Sequence, residues 1–463
     1  MKADKITSYR NPVKLWVTLL SFLFVFSNGW TQQQKGADID GEAAYDNSGY
    51  SVSMPDANTI AIGAPYNDDA GTDAGHVRVY TWNGVSWVQK GSDIDGKTTG
   101  DKFGWSVSMP DTNTIAIGAP YYDGGGTAAG YVQVFRWNSS TWEQKGNVIN
   151  SGSGGGYTGY SISMPDSNTI AVGSRGGGTQ ASSGHVQIYK LQNFTGTYSV
   201  WLSKGNKING ETMGDESGFS VSMPDPNTVA IGAPYNDGSG LNAGHVRVYT
   251  WNDSTWVQKG ADIDGEAAGD QSGWSVSMPD SNTVAIGAPF NDDAGTDAGH
   301  VRIYTWNGTA WIQKGTDIDG EASGDRFGWS ISMPDSNTVA IGAPKNDSTG
   351  TDAGHVRVYR WNGSNWVKKG VDINGKAADD LFGYSVSMAK SYTLSIGATG
   401  NDDTDTDAGQ VQVYDFSSLL TSVNTNHDSR YSHRSFVTVY PNPFKTHFQL
   451  NFELNETSDV DIT

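Results

Sequence analysis

Residues 273–289 read GWSVSMPDSNTVAIGAP, and their alternation decides the fold. Trp274, Val276 and Met278 alternate with Ser275 and Ser277, and Val284 and Ile286 alternate with Ala285 and Gly287. A period of two belongs to a strand whose successive side chains point to opposite faces. Between the two runs, Pro279-Asp280-Ser281-Asn282 has the composition of a turn. Beyond an acidic loop, His300–Trp306 reads as a third strand, Asn307-Gly308 as a hairpin signal and 311–315 (WIQKG) as a fourth strand. The large/small alternation lets the bulky face of one sheet nest on the small-residue face of the next.

The same unit recurs along the chain. Aligned glycines stand at Gly49, Gly104, Gly159, Gly218, Gly273, Gly328 and Gly383, at spacings of 55, 55, 59, 55, 55 and 55. Each is followed by S-[VI]-S-M, [AS]-[VI]-G-[AS] and G-x-V-x-[VI]-[YF] segments. Four antiparallel strands per repeat of this size match a propeller blade. The fourth-strand motif occurs at 30–36, 87–91, 142–146, 201–205, 256–260, 311–315 and 366–370. One copy thus precedes the first blade, and none comes after the third strand of the seventh at 410–414. The predicted fold is therefore all-β: a seven-bladed β-propeller of four-stranded blades over 30–416, closed by an N-terminal strand that completes blade seven and hides two open edges.

The residues then resemble a known family. Phe103-Gly104 with Ile117-Gly118-Ala119-Pro120, and Phe327-Gly328 with Ile341-Gly342-Ala343-Pro344, are similar to the two halves of FG-GAP repeats. In four copies Ser or Thr replaces the Phe. The resemblance implies the seven-bladed head of integrin α chains and bacterial surface proteins, and with it a binding role. The calcium loop of such repeats, a D-x-D-x-D-G run between strands one and two, is replaced here by the short Met278–Thr283 connection with one Asp, so those metal sites are not carried over.

Ahead of the repeats, Lys2, Lys5, Arg10 and Lys14 precede an apolar run at 15–26, and Ser27-Asn28-Gly29 comes after it. This pattern predicts a signal peptide over 1–29, too short to span a bilayer. The sequence contains no Cys, which rules out disulfides and thiol chemistry. Without residues 1–29 the chain carries 26 basic and 49 acidic side chains. Nucleic acid is excluded as a partner by repulsion, as is an anionic membrane surface. In an up-and-down blade the 2–3 loops and the inter-blade connectors share one face. They hold 14 and 21 acids respectively, against seven Lys or Arg, so the charge gathers on that face.

Within it, Asp262, Asp264 and Asp270, with Asp292, Asp293 and Asp297, offer hard oxygen ligands that suit Ca²⁺. The competing expectation is that these Asp side chains cap turns. Blade three departs from the pattern: its connector 147–159 has no acid, and Arg175, Gly176, Gly177 and Gly178 form its 2–3 loop. That sector is the candidate ligand-binding site. His76, His185, His245, His300 and His355 share one repeat position in five blades, too far apart to share a metal, and read as packing or turn-bonding residues. The strand-three and strand-four Trp side chains read as blade packing rather than a sugar platform. No nucleophile–base pair stands out, so the expected protein is not an enzyme.

Residues 417–435 read as a linker. Val437-Thr438-Val439-Tyr440-Pro441-Asn442-Pro443-Phe444 and the alternating Phe448, Leu450, Phe452 and Leu454 resemble the opening of the C-terminal sorting domain of type IX secretion substrates of Bacteroidota. That domain would be incomplete over 436–463. The expectation is a monomeric binding or adhesion module, secreted or held at the outer cell surface by the type IX machinery, with a protein or glycan ligand. The rival expectations are a polysaccharide-acting enzyme, which requires a deep central pocket with acids in unlike environments, and a spacer of a larger surface protein.

Overall fold

The computed structural model describes residues 32–417 apart from 151–153, 195–197 and 391. The expected signal peptide, the linker beyond its first residue and the sorting domain lie outside the described residues. Within them, seven antiparallel sheets succeed one another and no helix forms. Blade five is typical. Its strands Ser275–Asp280, Thr283–Ala288, His300–Trp306 and Trp311–Gln313 pair in sequence order.

Two details depart from the expected strands. The first strand continues through Pro279 to Asp280, which pairs with Thr283. A register shift after Ser277 accommodates the proline, which has no N–H to give the ladder. The turn shrinks to Ser281-Asn282, where Asp280 Oδ1 accepts the Asn282 N–H at 2.8 Å. The fourth strand also has a second piece. The chain kinks after Gln313, with Gly315 at φ 86°, and Ile318–Asp319 pairs again with strand three at Val301 and His300. Each connector is thereby fastened beside its blade's strand-three histidine position.

The N-terminal segment closes the ring. Gln33–Gln34 pairs with Asp415 and Tyr414 of Gln410–Asp415, and Ile39–Asp40 pairs with Val411 and Gln410. Blade seven is thus built from both ends of the propeller.

The repeated motifs act at the junctions. The first Ser of S-x-S-M donates to the FG glycine carbonyl of the next blade, as Ser275 Oγ does to Gly328 O at 2.7 Å. The second Ser accepts the next blade's Met N–H, as Ser277 Oγ does from Met333 at 3.0 Å. Both bonds also cross the closing junction, from Ser385 to Gly49 O at 2.6 Å and from Met54 N to Ser387 at 3.0 Å.

Between blades, apolar packing takes the predicted nesting. Val284 and Ile286 meet Ala230, Val246 and Val248 of blade four, while Ala285, Val301 and Ile303 meet Val339 and Ile341 of blade six. Gly287 must be glycine: a Cβ there would lie 2.1 Å from Gly328 O. At the outer edge, Lys259 Nζ lies 5.3 and 5.2 Å from the Trp306 and Trp311 ring centres and donates to Ser281 O at 2.6 Å. Trp311 Nε1 returns a bond to Lys259 O at 2.7 Å. The tryptophans therefore pack the blades, as the sequence suggested.

Gly287→Ala should cost about 1–3 kcal/mol by overpacking a backbone contact, and Ser277→Ala about 1 kcal/mol through one lost bond. Urea unfolding of the two variants checks this order.

Candidate functional site on the acidic face

The acidic face is built from the segments just before strand one and just after strand two. The residue after each FG glycine is aromatic in every blade: Tyr50, Trp105, Tyr160, Phe219, Trp274, Trp329 and Tyr384. Each ring meets the next, with centroids 4.5, 5.5, 5.0, 4.6, 4.7, 5.7 and, from Tyr384 back to Tyr50, 5.0 Å apart. The cycle encircles the propeller axis. Burial drives the Tyr384 hydroxyl up to about 12 and raises Tyr50 and Tyr160 as well, so the tyrosines stay neutral at any physiological pH. The centre of the face is therefore lined by uncharged aromatic rings.

A second tier stands above this cycle, at the position two residues after each GA or GS of strand two. Tyr66, Tyr121, Tyr235 and Phe290 pack edge-on against the ring below, at 6.2, 5.1, 6.3 and 5.5 Å. All four remain partly exposed. Lys102 lies 4.2 Å from the Tyr66 ring centre and 4.9 Å from that of Tyr121, and Arg326 lies 4.9 Å from that of Phe290. The sequence reading missed both tiers, although the first tier's period of one aromatic per blade was legible.

Blade three has no aromatic at this position; there Arg175, directly after Gly173-Ser174, lies over the cycle instead. Its guanidinium lies 4.5 and 4.9 Å from the Tyr160 and Tyr157 ring centres, and Nη1 donates to Glu216 Oε2 at 2.9 Å. The acid that blade three lacks thus arrives from the next connector. Gly176, Gly177 and Gly178 sit against Gly155 O, the His185 ring and Ser183 Oγ, each closer than 3 Å to where a Cβ would be. The loop is packed down, with Arg175 engaged against the aromatic cycle.

The six Asp of the calcium expectation are dispersed. Asp270 is buried and accepts from Ala267 N at 2.9 Å and Asn291 Nδ2 at 3.2 Å. Asp292 caps its own loop by accepting the Asp297 N–H at 2.8 Å. Asp264 pairs with His245 in the sheet, and its backbone carbonyl accepts from Arg302 at 2.6 Å. Asp262 and Asp293 instead join different histidines. Among the described residues three clusters result: Glu42, Asp69, His76 and Asp93; Glu266, Asp293, His300 and Asp317; and Glu211, His245 and Asp262, with ligand atoms inside each cluster within 4.8 Å of one another.

All five histidines are buried, as the packing expectation has it. His76 and His300 are each 1% exposed, and their Nδ1 atoms have no hydrogen-bond partner. Burial holds His76, His185 and His355 down to about 4, so the imidazoles are neutral. Comparing the histidines only with one another, as the sequence invites, overlooks the acids that two connectors bring to His76, His245 and His300.

His185 is the simplest of the set, with Lys207 as the only charge acting on it among the described residues. Folded, it takes a proton only near pH 4; unfolded, it does so near the ordinary 6.5. Its stabilising contribution is complete above pH 6.5 and is lost as pH falls toward 4. His185→Gln should therefore flatten the fall in melting temperature between those values, read by thermal scans across that range.

The repeats are similar in sequence to a known family. A sequence profile of the FG-GAP repeat matches residues 30–80, 92–135, 261–304, 312–359 and 374–414. No curated protein matches the chain in sequence. Among solved structures, a candidate 6-phosphogluconolactonase from Bacteroides fragilis aligns at TM-score 0.47 and 10% identity, over 71% of this chain and 86% of its own. The β-propeller domain of the Trilobed protease from Pyrococcus furiosus aligns at TM-score 0.46 and 9% identity, over 79% and 92%. The WD40 β-propeller domain of Doa1 aligns at 0.41 and 11%, over 87% and 100%. Likenesses this distant carry no functional argument.

Proposed function

We propose that this chain, whose FG-GAP repeats form a seven-bladed propeller, is an exported binding module of the cell-surface or adhesion type that takes its ligand at the axial mouth of the acidic face. The observation that carries this reading is the partly exposed aromatic tier of Tyr66, Tyr121, Tyr235 and Phe290 around the axis. Amphipathic aromatic faces are favoured contact surfaces because they bury large area at little entropic cost. The surrounding acids exclude anionic partners, which leaves a neutral glycan or a basic protein surface. Export rests on the basic-then-apolar opening of the sequence, and a type IX route on the Tyr440-Pro441-Asn442-Pro443-Phe444 run. Release or retention at the outer surface is the consequence of that route.

A neutral-glycan array and a panel of basic proteins should yield a ligand for the purified chain. Tyr121→Ala combined with Tyr235→Ala should weaken that ligand at least tenfold, while Val88→Ala, on the outer edge of blade one, should not. Binding that survived loss of both tyrosines would place the contact surface elsewhere.

A further inference from the structure

We propose that blades one and five each bind one divalent first-row transition ion, with zinc(II) as the type, through one imidazole and three carboxylates. In blade one the donors are His76, Glu42, Asp69 and Asp93; in blade five they are His300, Glu266, Asp293 and Asp317. Each set draws on three chain segments. The Glu comes from the connector entering the blade, the first Asp from the 2–3 loop and the last Asp from the connector leaving it.

The geometry of the donors is that of a prepared site. Arg78 Nη1 lies 3.2 Å from Glu42 Oε1, and Gln89 Nε2 donates to Asp93 Oδ1 at 2.5 Å. One oxygen of each of these carboxylates is therefore held from outside. The other Glu42 oxygen lies 3.8 Å from His76 Nδ1, too far for a hydrogen bond. Blade five repeats this: Arg302 lies 3.3 Å from Glu266 Oε1, Gln313 donates to Asp317 Oδ1, and His300 Nδ1 is 3.8 and 4.0 Å from the remaining oxygens. Four ligands held tetrahedrally at the usual zinc distances are about 3.4 Å apart. Small inward movements thus complete the shell. They would also give the unpartnered Nδ1 atom the partner that a buried polar atom ordinarily has.

Charge and donor type agree. Three carboxylates against one Arg leave a net of −2, matching a divalent cation. A buried imidazole selects zinc-like ions over calcium, which prefers six to eight oxygens.

The other blades act as internal comparisons. In blade six, Arg357 donates from Nε and Nη2 to both oxygens of Asp372 at 3.0 and 2.9 Å, and Ser348 replaces the loop Asp. That set is consumed by its arginine. Blade four keeps Glu211, His245 and Asp262 but has Gly238 where blades one and five have Asp69 and Asp293. Gly238 N–H bonds Asn236 Oδ1 at 2.8 Å, as Asp293 N–H bonds Asn291 Oδ1 at 3.0 Å, so the loop has the same turn, and an Asp there requires only that the Asn236 side chain, 2.8 Å from the added Cβ, give way.

The test is equilibrium dialysis and visible spectroscopy of the full chain with Co²⁺, then displacement by Zn²⁺. Because the chain has no Cys, a tetrahedral cobalt spectrum arises only from nitrogen and oxygen donors. The double variant Asp69→Asn/Asp293→Asn, altered only in exposed loops, should bind two equivalents fewer than the parent chain, and each single variant one fewer. His76→Ala/His300→Ala should match the double Asn variant, His355→Ala should match the parent, and Gly238→Asp should add a third equivalent. Equal uptake by the parent and both double variants would overturn the proposal, as would Ca²⁺ binding without Co²⁺ or Zn²⁺.

Discussion

The structure depends on the pairing of the chain's two ends in one sheet. Until Gln33–Gln34 and Ile39–Asp40 lie against Gln410–Asp415, the seven sheets form a stack with two open edges rather than a ring. Open edges present unpaired backbone groups and invite association with other chains. Closure removes them and brings the last junction to the same state as the others. The Ser385–Gly49 and Met54–Ser387 bonds then repeat, across the ends, the part the serines play between consecutive blades. The axial aromatic cycle has the same requirement, since its Tyr384–Tyr50 contact joins the seventh blade to the first.

Once the ring is closed, every connector lies between two blades, and this makes composite sites available. No single repeat holds the donors gathered around His76 or His300; each borrows from the connectors on both sides. The repeats also vary in concert. Blades with a strand-three Arg have a Glu in the incoming connector: Arg78 with Glu42, Arg247 with Glu211, Arg302 with Glu266 and Arg357 with Glu321. Where Gln133, Gln187 or Gln412 replaces the Arg, the matching connector position is Lys97, Gly152 or Lys376. A buried guanidinium requires a counter-charge, and its loss releases the connector to change. This coupling separates blades one, four, five and six from the rest.

Much of this was legible in the sequence, because a repeat states its rules seven times. The glycine period, the strand alternation and the surplus fourth-strand motif ahead of blade one sufficed for blade number, topology and closure. The path of the first strand through Pro279 was not legible, since a bulge is specified by pairing across the sheet rather than by the local residues. The aromatic cycle could have been read from the single aromatic after each FG glycine; its closure into a ring could not, because that depends on radius. The histidine clusters lay further from reach. In blade one, 27, 7 and 17 positions separate Glu42, Asp69, His76 and Asp93 in turn, and no linear motif spans three segments joined only by the sheet. The blade-three loop misled in the opposite sense: it lacks acids locally, yet Glu216 reaches Arg175 from the next connector.

Closure is tested most directly by a cross-link at the seam. The chain has no Cys, and Gln33 and Asp415 are register partners in antiparallel strands, at a Cα separation within the range that a disulfide spans. The double variant Gln33→Cys/Asp415→Cys should oxidise within one chain, migrate as a compact species until reduced, and melt several degrees higher when oxidised. Failure to form the intramolecular disulfide, or formation only between chains, would show that the ends do not meet and that the propeller is open.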